Sequence, residues 1–309
     1  MISILLAEKI LQLFLMIFAG LGLVKAKVIR AEDSNAVSKI VLYLILPCCI
    51  VSTFQIELTG DVAKGLVFTA AAAAAMMFLQ IGISEAAGKL FHLSVTEKCS
   101  IAYPNCGNLL IPLVMYIYGR EWVVYVTMFF GVQMLFVWTH MDTKFSRQKA
   151  DPRKILTNIN ILAVFAGLLL MIAGITLPET IGTPMALLGD MIGPLSMFLI
   201  GISMAKVDVK RMLSDTKAYL TVVIRLIVVP LIALLLMWAL HAYRWIPNGD
   251  KITTIILLAV APPSAAIVVQ LALLHNEDAE HASVINVMTT LPCILTMPLL
   301  VGLYQYLIG

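Results

Sequence analysis

Two asparagines beside a glycine are the residues of this chain whose types and spacing best suit binding of a small anion. Asn105 and Asn108 lie three positions apart, so on a helix both project from one face. Each amide offers donors and an acceptor to a carboxylate, and Gly107 lets a ligand approach the backbone closely. A helix that begins here would also present free N–H groups and its positive dipole end, which favour anions. The alternative is that both amides only cap a broken helix.

Prolines surround these asparagines in the middle of an apolar stretch that is otherwise typical of a membrane-spanning helix. Pro104 and Pro112 flank them, and Pro262, Pro263 and Ser264 occupy the matching place in the second half. Proline lacks a backbone donor and clashes with the preceding turn, so we expect both segments to break. Irregular backbone at membrane depth survives only where it lines a protected cavity, and paired breaks indicate a transporter's binding site. Ser264 is either a substrate contact or a structural residue of this crossover.

Three further polar side chains are predicted to lie inside apolar spans. Gln133 needs hydrogen-bond partners there, because an unpaired amide in hydrocarbon is costly, and both a functional and a packing role stay open. Asp190 and Arg225 each cost about 2.5–3.5 kcal/mol at the centre of a helix. They could form an ion pair that breaks during transport or a static structural pair. Arg225 could instead be the counter-charge of an anionic substrate.

The composition excludes a soluble globular domain. Of the 309 residues, 61% are hydrophobic and only 13% are charged, so a polytopic helical membrane protein that contacts the lipid bilayer is expected. The net charge of +3 gives no indication of nucleic acid. The five cysteines lack paired loop spacing, so neither a disulfide framework nor a zinc site is expected. The polar stretch 275–281 is interpreted as a solvated loop, and no metal or cofactor is predicted.

Apolar runs predict ten spans with short connections. They lie near residues 4–24, 34–54, 63–88, 97–118, 121–143, 157–177, 181–205, 214–241, 251–274 and 281–307. Most loop lysines and arginines follow the odd-numbered spans, so these loops should be cytoplasmic and both termini outside. Lys39, Glu85 and Asp142 fall close to that surface and are expected to snorkel towards it.

The two halves of the chain also align. Residues 1–150 and 151–309 are predicted to be two five-helix repeats, and an odd number of spans makes the repeats inverted. Chance is the alternative, since membrane helices share composition. The paired positions are offset by 147 to 158 residues and are Pro47 with Pro194, Lys64 with Lys217, and Pro104 with Pro262.

With these features the chain resembles the auxin efflux carrier family, which holds plant auxin exporters and bacterial malonate or malate permeases. The resemblance covers nearly the whole length, and the Asn-Xaa-Gly-Asn element with its following proline is its most specific part. The matching segments are Asn35 to Pro47, Asn105 to Asn108 with Pro112, Pro194 to Gly201, Arg225 to Pro230, and Ala261 to Ser264.

The resemblance implies a fold similar to that of the bile acid/sodium symporters. Spans 1, 2, 6 and 7 would form a scaffold, and spans 3–5 and 8–10 a moving core in which the broken spans 4 and 9 cross. The plant members carry a long loop between spans 5 and 6, whereas this chain has only about residues 144–154 there. It is therefore similar to a bacterial member of the inner membrane, and a homodimer through the scaffold is a further expectation.

These observations predict a secondary transporter for a small organic anion, either malate- or malonate-like or auxin-like, that works by elevator-type alternating access. Sodium coupling is one alternative, although the acidic sodium ligand of the bile acid symporters is absent from span 9. Proton coupling would depend on Asp190, the only mid-span acid. A carboxylate sensor without transport is another alternative. An enzyme is not expected, because no catalytic metal or nucleophile motif is present.

Overall fold

The computed structural model describes residues 2–205, 207, 212 and 214–309. Its helices follow one another along the chain with short connections. They are α1 (Ile2–Lys25), α2 (Ser34–Ile40), α3 (Leu46–Thr53), α4 (Gly60–Phe91), α5 (Val95–Ala102), α6 (Ile111–Tyr118), α7 (Val123–Phe136), α8 (Asp142–Ser146), α9 (Pro152–Leu156), α10 (Ile159–Ile172), α11 (Glu179–Asp190), α12 (Ile192–Met204), α13 (Thr216–Val223), α14 (Val229–Ala239), α15 (Gly249–Val260), α16 (Ala266–Leu274), α17 (Ala279–Thr290) and α18 (Cys293–Ile308). Four π-helical turns join some of them, at Val41–Ile45, Cys106–Leu110, Val137–Met141 and Ile224–Val228. Most of the basic loop predicted after the seventh span lies outside the described residues.

The described part of the chain is helical, as predicted, and several helices are suited to a bilayer. Five helical stretches are long and apolar enough to cross a membrane, and a sixth is possible if α17 and α18, bent by 51°, form one span. Three shorter apolar helices accompany them. The protein is therefore a multi-pass membrane protein. The count of ten spans and the inverted repeat stay predictions, because the broken helices are individually too short to span a bilayer.

The loops gather at two ends of the molecule. At one end Glu85 accepts from Lys98 and Lys144, at 3.2 and 2.8 Å, and Arg147 pairs with Glu277 at 2.9 Å. We name this the Arg147 end. The 32-residue helix α4 runs from here to the loop that contains Gln55, roughly 48 Å away.

The far end of α4 is named the Gln55 end, and a second set of loops meets there. The Gln55 Oε1 atom accepts from the Leu177 backbone N–H at 2.7 Å. On a neighbouring connection, the Lys251 ammonium lies 4.8 Å from the ring centroid of Trp122. Each set of contacts therefore joins loops that are distant in the sequence.

Helix packing follows the groups that the sequence predicts, with some contact between them. Within the predicted scaffold, α1 packs along α12, and α3 packs against α10 and α11. Within the predicted core, α4 packs against α5 and α7, and α13 against α17. Helix α1 also contacts α18 and α6. The division into two bodies stays a prediction.

Helices α1 and α12 approach so closely that glycine is required at their contact. A Cβ atom at Gly201 would lie 2.0 Å from the Ile17 carbonyl oxygen, and one at Gly20 would lie 2.4 Å from the Phe198 carbonyl oxygen. Such small residues let membrane helices pack backbone against backbone. This contact joins the first helix to the second half of the chain.

Candidate functional site

Two breaks in helical segments cross each other at the centre of the molecule. Pro104 and Ser264 form an antiparallel β-bridge. The Asn105 N–H donates to the Pro263 carbonyl and the Ala265 N–H donates to the Tyr103 carbonyl, both at 2.9 Å. The prolines thus force extended backbone at both places, and the two extended segments satisfy each other. Pro104, Pro262 and Pro263 lie at the predicted crossover.

Side chains from neighbouring helices bind the remaining polar groups of this backbone. The Gln133 amide donates to the Pro104 carbonyl at 2.7 Å. The Asn286 amide donates to the Ser264 carbonyl at 2.7 Å, and the Ser264 N–H donates to the Thr289 hydroxyl at 3.1 Å. These partners explain how irregular backbone is tolerated at this depth, where water is not available.

Arg225 binds the other side of the crossover. Its side chain is fully buried, and its Nε atom donates to the Pro262 carbonyl at 3.0 Å. One terminal nitrogen donates to the Ile101 carbonyl and to the Gln80 amide oxygen, both at 2.8 Å, and the other donates to the Val260 carbonyl. The guanidinium therefore caps the C-terminal ends of α5 and α15.

The opposite side of the crossover presents helix N-termini. One begins at the π-helical turn Cys106–Leu110 and the other is the start of α16. The backbone N–H groups of Gly107, Asn108, Ala266 and Ile267 have no partner among the hydrogen bonds of the described residues. Free N–H groups and the positive dipole ends of two helices thus lie side by side, as an anion requires.

Both N-termini line one cavity of about 570 Å³. Its wall contains no Asp or Glu from the described chain, and its one basic residue is Lys154. The cavity extends from the crossover towards the Arg147 end. The lining residues are Ser38, Val41, Leu42, Tyr43, Leu46, Pro104, Asn105, Cys106, Gly107, Asn108, Phe130, Gln133, Met134, Trp138, Lys154, Thr157, Asn158, Ile159, Asn160, Leu199, Ala265, Ala266, Ile267, Gln270, Leu271 and Leu274.

Four of the five predicted substrate-binding residues line this cavity. Asn105 is buried, and its side-chain amide has no hydrogen bond to the described residues, whereas the Asn108 Oδ1 atom accepts from the Ser196 hydroxyl at 3.4 Å. Gly107 packs against Phe130, whose ring would lie 3.0 Å from an added Cβ. Gln133 holds the crossover through its nitrogen, while its buried Oε1 atom lacks a partner.

Ser264 and Pro112 are placed elsewhere. Ser264 is 1% exposed, its hydroxyl has no partner in the described chain, and it lies outside the cavity wall. Its role here is structural, through the backbone of the bridge. Pro112 is buried at the start of α6, directly after the π-helical turn, where a missing N–H costs little.

The suggested pairing of Asp190 with Arg225 is wrong. Asp190 forms an ion pair with Arg120, which also donates to the Ala186 carbonyl at 3.3 Å. The Asp190 side chain is 51% exposed at the end of α11, whereas Arg225 is enclosed by crossover carbonyls. Arg225 also lies outside the cavity wall, so a direct counter-charge role for a substrate in this cavity is not supported.

Asp142 is a second correction, because it does not snorkel. Its side chain is 2% exposed and accepts from the Lys154 ammonium at 2.7 Å, with His275 at 3.3 Å. Within the described residues no group of His, Cys, Asp and Glu could hold a metal ion. The stretch 275–281 is also less solvated than expected, since His281 lies 3.1 Å from Glu97.

Several residues of the site were missed from the sequence. Gln80 and Asn286 hold Arg225 and the Ser264 carbonyl, respectively, and Asn160 and Trp138 line the cavity with a buried, unpartnered polar atom each. A signal existed for Gln80, because a glutamine in the middle of a long apolar helix needs a buried partner. The partner itself could not be inferred from sequence spacing.

Comparison with known proteins identifies the family. The sequence profile described as membrane transport protein matches residues 5–155 and 145–301, which together cover nearly the whole chain. No curated protein sequence matches it significantly. The match agrees with the crossover and with the resemblance in the Asn105–Asn108 element. The chain belongs to the membrane transport protein family, that of the auxin efflux carriers.

Proposed function

We propose that the protein is a secondary transporter that carries a small organic anion, a mono- or dicarboxylate, across the bacterial inner membrane. One observation carries this proposal: two helix N-termini with four free N–H groups meet at a cavity without carboxylates. Family membership supports transport as the activity. The cavity chemistry supports an anion as the substrate.

The carboxylate is proposed to bind at the crossover. The N–H groups of Gly107, Asn108, Ala266 and Ile267 surround the position, and the Asn105 amide is free to donate as well. Hydrogen bonds to a charged group contribute about 1.5–3 kcal/mol each, so two or three of them suffice for micromolar to millimolar binding. The rest of the substrate would contact the apolar wall, which includes aromatic rings.

The cavity wall is divided between the two predicted bodies. Residues 104–108, 130–138 and 265–274 belong to the predicted core, whereas residues 38–46 and Leu199 belong to the predicted scaffold. A substrate at the crossover would therefore move with the core as it slides past the scaffold. This arrangement favours an elevator motion over a channel.

An ion pair between the bodies would have to break in that motion. Arg120 lies on the connection before α7, in the predicted core, and Asp190 ends α11, in the predicted scaffold. The pair lies away from the Arg147 end, towards which the cavity extends. We infer that the pair closes the site from the outside, and that the Arg147 end, with its basic loops, faces the cytoplasm.

Uptake into proteoliposomes tests the proposal. The purified protein is reconstituted and supplied with a panel of labelled mono- and dicarboxylates, with sodium and proton gradients varied separately. We expect saturable uptake of at least one carboxylate. The variant Asn105→Ala with Asn108→Ala should raise the half-saturation concentration about tenfold or more, because charge-assisted hydrogen bonds are lost.

A matched control and clear negative outcomes accompany this measurement. Asn35→Ala removes an exposed asparagine amide outside the cavity and should leave uptake unchanged. Absence of saturable flux for every carboxylate would contradict the substrate class, and binding without flux would favour a sensor. Unchanged affinity in the double variant would contradict the site.

A further inference from the structure

The environment of Arg225 is an oxygen cage between two helix ends. Its guanidinium donates to the carbonyls of Ile101, Val260 and Pro262 and to the side-chain oxygen of Gln80. These four acceptors come from three separate parts of the chain. Arg225 itself lies in the π-helical turn Ile224–Val228 and is fully buried.

Such a cage has the chemistry of a site for a small cation. Carbonyl and amide oxygens are hard ligands, and unwound carbonyls with the C-terminal ends of broken helices bind monovalent cations in other carriers. Ile101 and Val260 lie at the C-terminal ends of α5 and α15, where the helix dipoles are negative. A positive charge is therefore favourable here.

No carboxylate compensates this charge. The printed partners of the guanidinium are all neutral oxygens, and Asp190 pairs with Arg120 instead. Burying an unpaired cation is expensive, so the dipoles and carbonyls must stabilise it. The charge consequently belongs to the crossover and not to an ion pair that opens and closes.

We propose that Arg225 is a resident cation that takes the place of an exchangeable metal ion at the crossover. It positions the C-terminal ends of α5 and α15, so that the N-termini beyond them stay aimed at the cavity. The protein then needs no sodium to assemble its substrate site. Removal of the side chain leaves an empty oxygen cage that accepts a small cation from solution.

Thermal unfolding of the purified full-length protein in detergent tests this proposal without any transport assay. Midpoints are measured in choline, sodium and low-millimolar guanidinium chloride at equal ionic strength. The wild-type midpoint should be the same in all three salts. Arg225→Ala should lower it, and guanidinium or sodium, but not choline, should restore part of the loss.

Three variants make the result interpretable. Leu226→Ala also truncates a buried side chain of the same turn but leaves no oxygen cage, so added cations should restore nothing. If Arg225→Ala does not fold, Arg225→Lys and Arg225→Gln replace it. Lysine keeps the charge and should retain more stability than glutamine, while only glutamine should respond to guanidinium or sodium.

Two outcomes would overturn the proposal. Equal midpoints for the lysine and glutamine variants would mean that the charge is unimportant. Cation rescue of Arg225→Ala or Arg225→Gln no larger than that of Leu226→Ala would exclude the cage. In uptake assays the wild type should change less than about twofold when sodium is replaced by choline, below the tenfold effect of one lost charged contact. Because this proposal predicts sodium-independent assembly, sodium-dependent uptake would contradict it while leaving the proposed anion transport intact.

Discussion

The Ser264 hydroxyl offers a sharp test, because the two interpretations of this residue predict opposite results. Its oxygen is buried and has no hydrogen-bond partner among the described residues. The backbone N–H and carbonyl of Ser264 are held by Thr289 and Asn286. Ser264→Ala therefore removes only the hydroxyl and keeps the bonds that position the crossover.

The expected effect is a gain in stability. Burying an unpaired hydroxyl costs about 1–3 kcal/mol on the scale of protein mutations. The contacts of one oxygen atom return only a few tenths of that. The free energy of unfolding should thus increase by about 1–2 kcal/mol, which raises the unfolding midpoint by about 2–4 °C in a chain of this size. Substrate affinity should not change, since Ser264 lies outside the cavity wall.

Thermal unfolding in detergent and concentration-dependent uptake in proteoliposomes measure both quantities. Ser84→Ala is the matched control, because its buried hydroxyl donates to the Ile81 carbonyl at 2.8 Å and is satisfied. That variant should be neutral or slightly destabilised. A lower midpoint for Ser264→Ala, or a half-saturation concentration raised tenfold, would show that the hydroxyl has a partner or a substrate contact, and would refute the reasoning.

Two other substitutions probe the packing and the closing ion pair. Gly201→Ala should lower the free energy of unfolding by about 1–3 kcal/mol, because its Cβ would collide with the Ile17 carbonyl. Gly22→Ala, with open space around the added Cβ, should leave the unfolding midpoint nearly unchanged, and equal midpoints for both variants would contradict the close contact. Asp190→Asn breaks a half-exposed pair with Arg120, so it should cost less than about 1 kcal/mol of stability while changing the initial uptake rate up to fivefold. Loss of folded protein would show that the pair is a structural requirement.

Much of the crossover could be predicted from the sequence. Prolines in apolar stretches disrupt helices for local steric reasons, so the breaks near Pro104 and Pro262 follow from residue type alone. The cavity lining by Asn105 and Asn108 follows from the same fact, since helix N-termini begin where the breaks end.

The polar contacts across the molecule were less predictable. Arg225 and Ile101 are 124 positions apart, and Arg120 and Asp190 are 70 apart. Depth in a span places a charge near the midplane but does not give the direction in which its side chain points. Asp190 was therefore assigned the wrong partner, and Ser264 was assigned a substrate contact that this structure does not contain.

The sequence by itself determined the class of the protein and the places where its helices fail. Long apolar runs require helices in a bilayer, and proline interrupts them wherever it occurs. The tertiary structure alone decided that the two breaks bridge each other, that Arg225 caps their C-terminal ends, and that the free N-termini share one cavity. The physical reason is that helix breaks are local, whereas the partners of freed backbone groups depend on how distant helices pack.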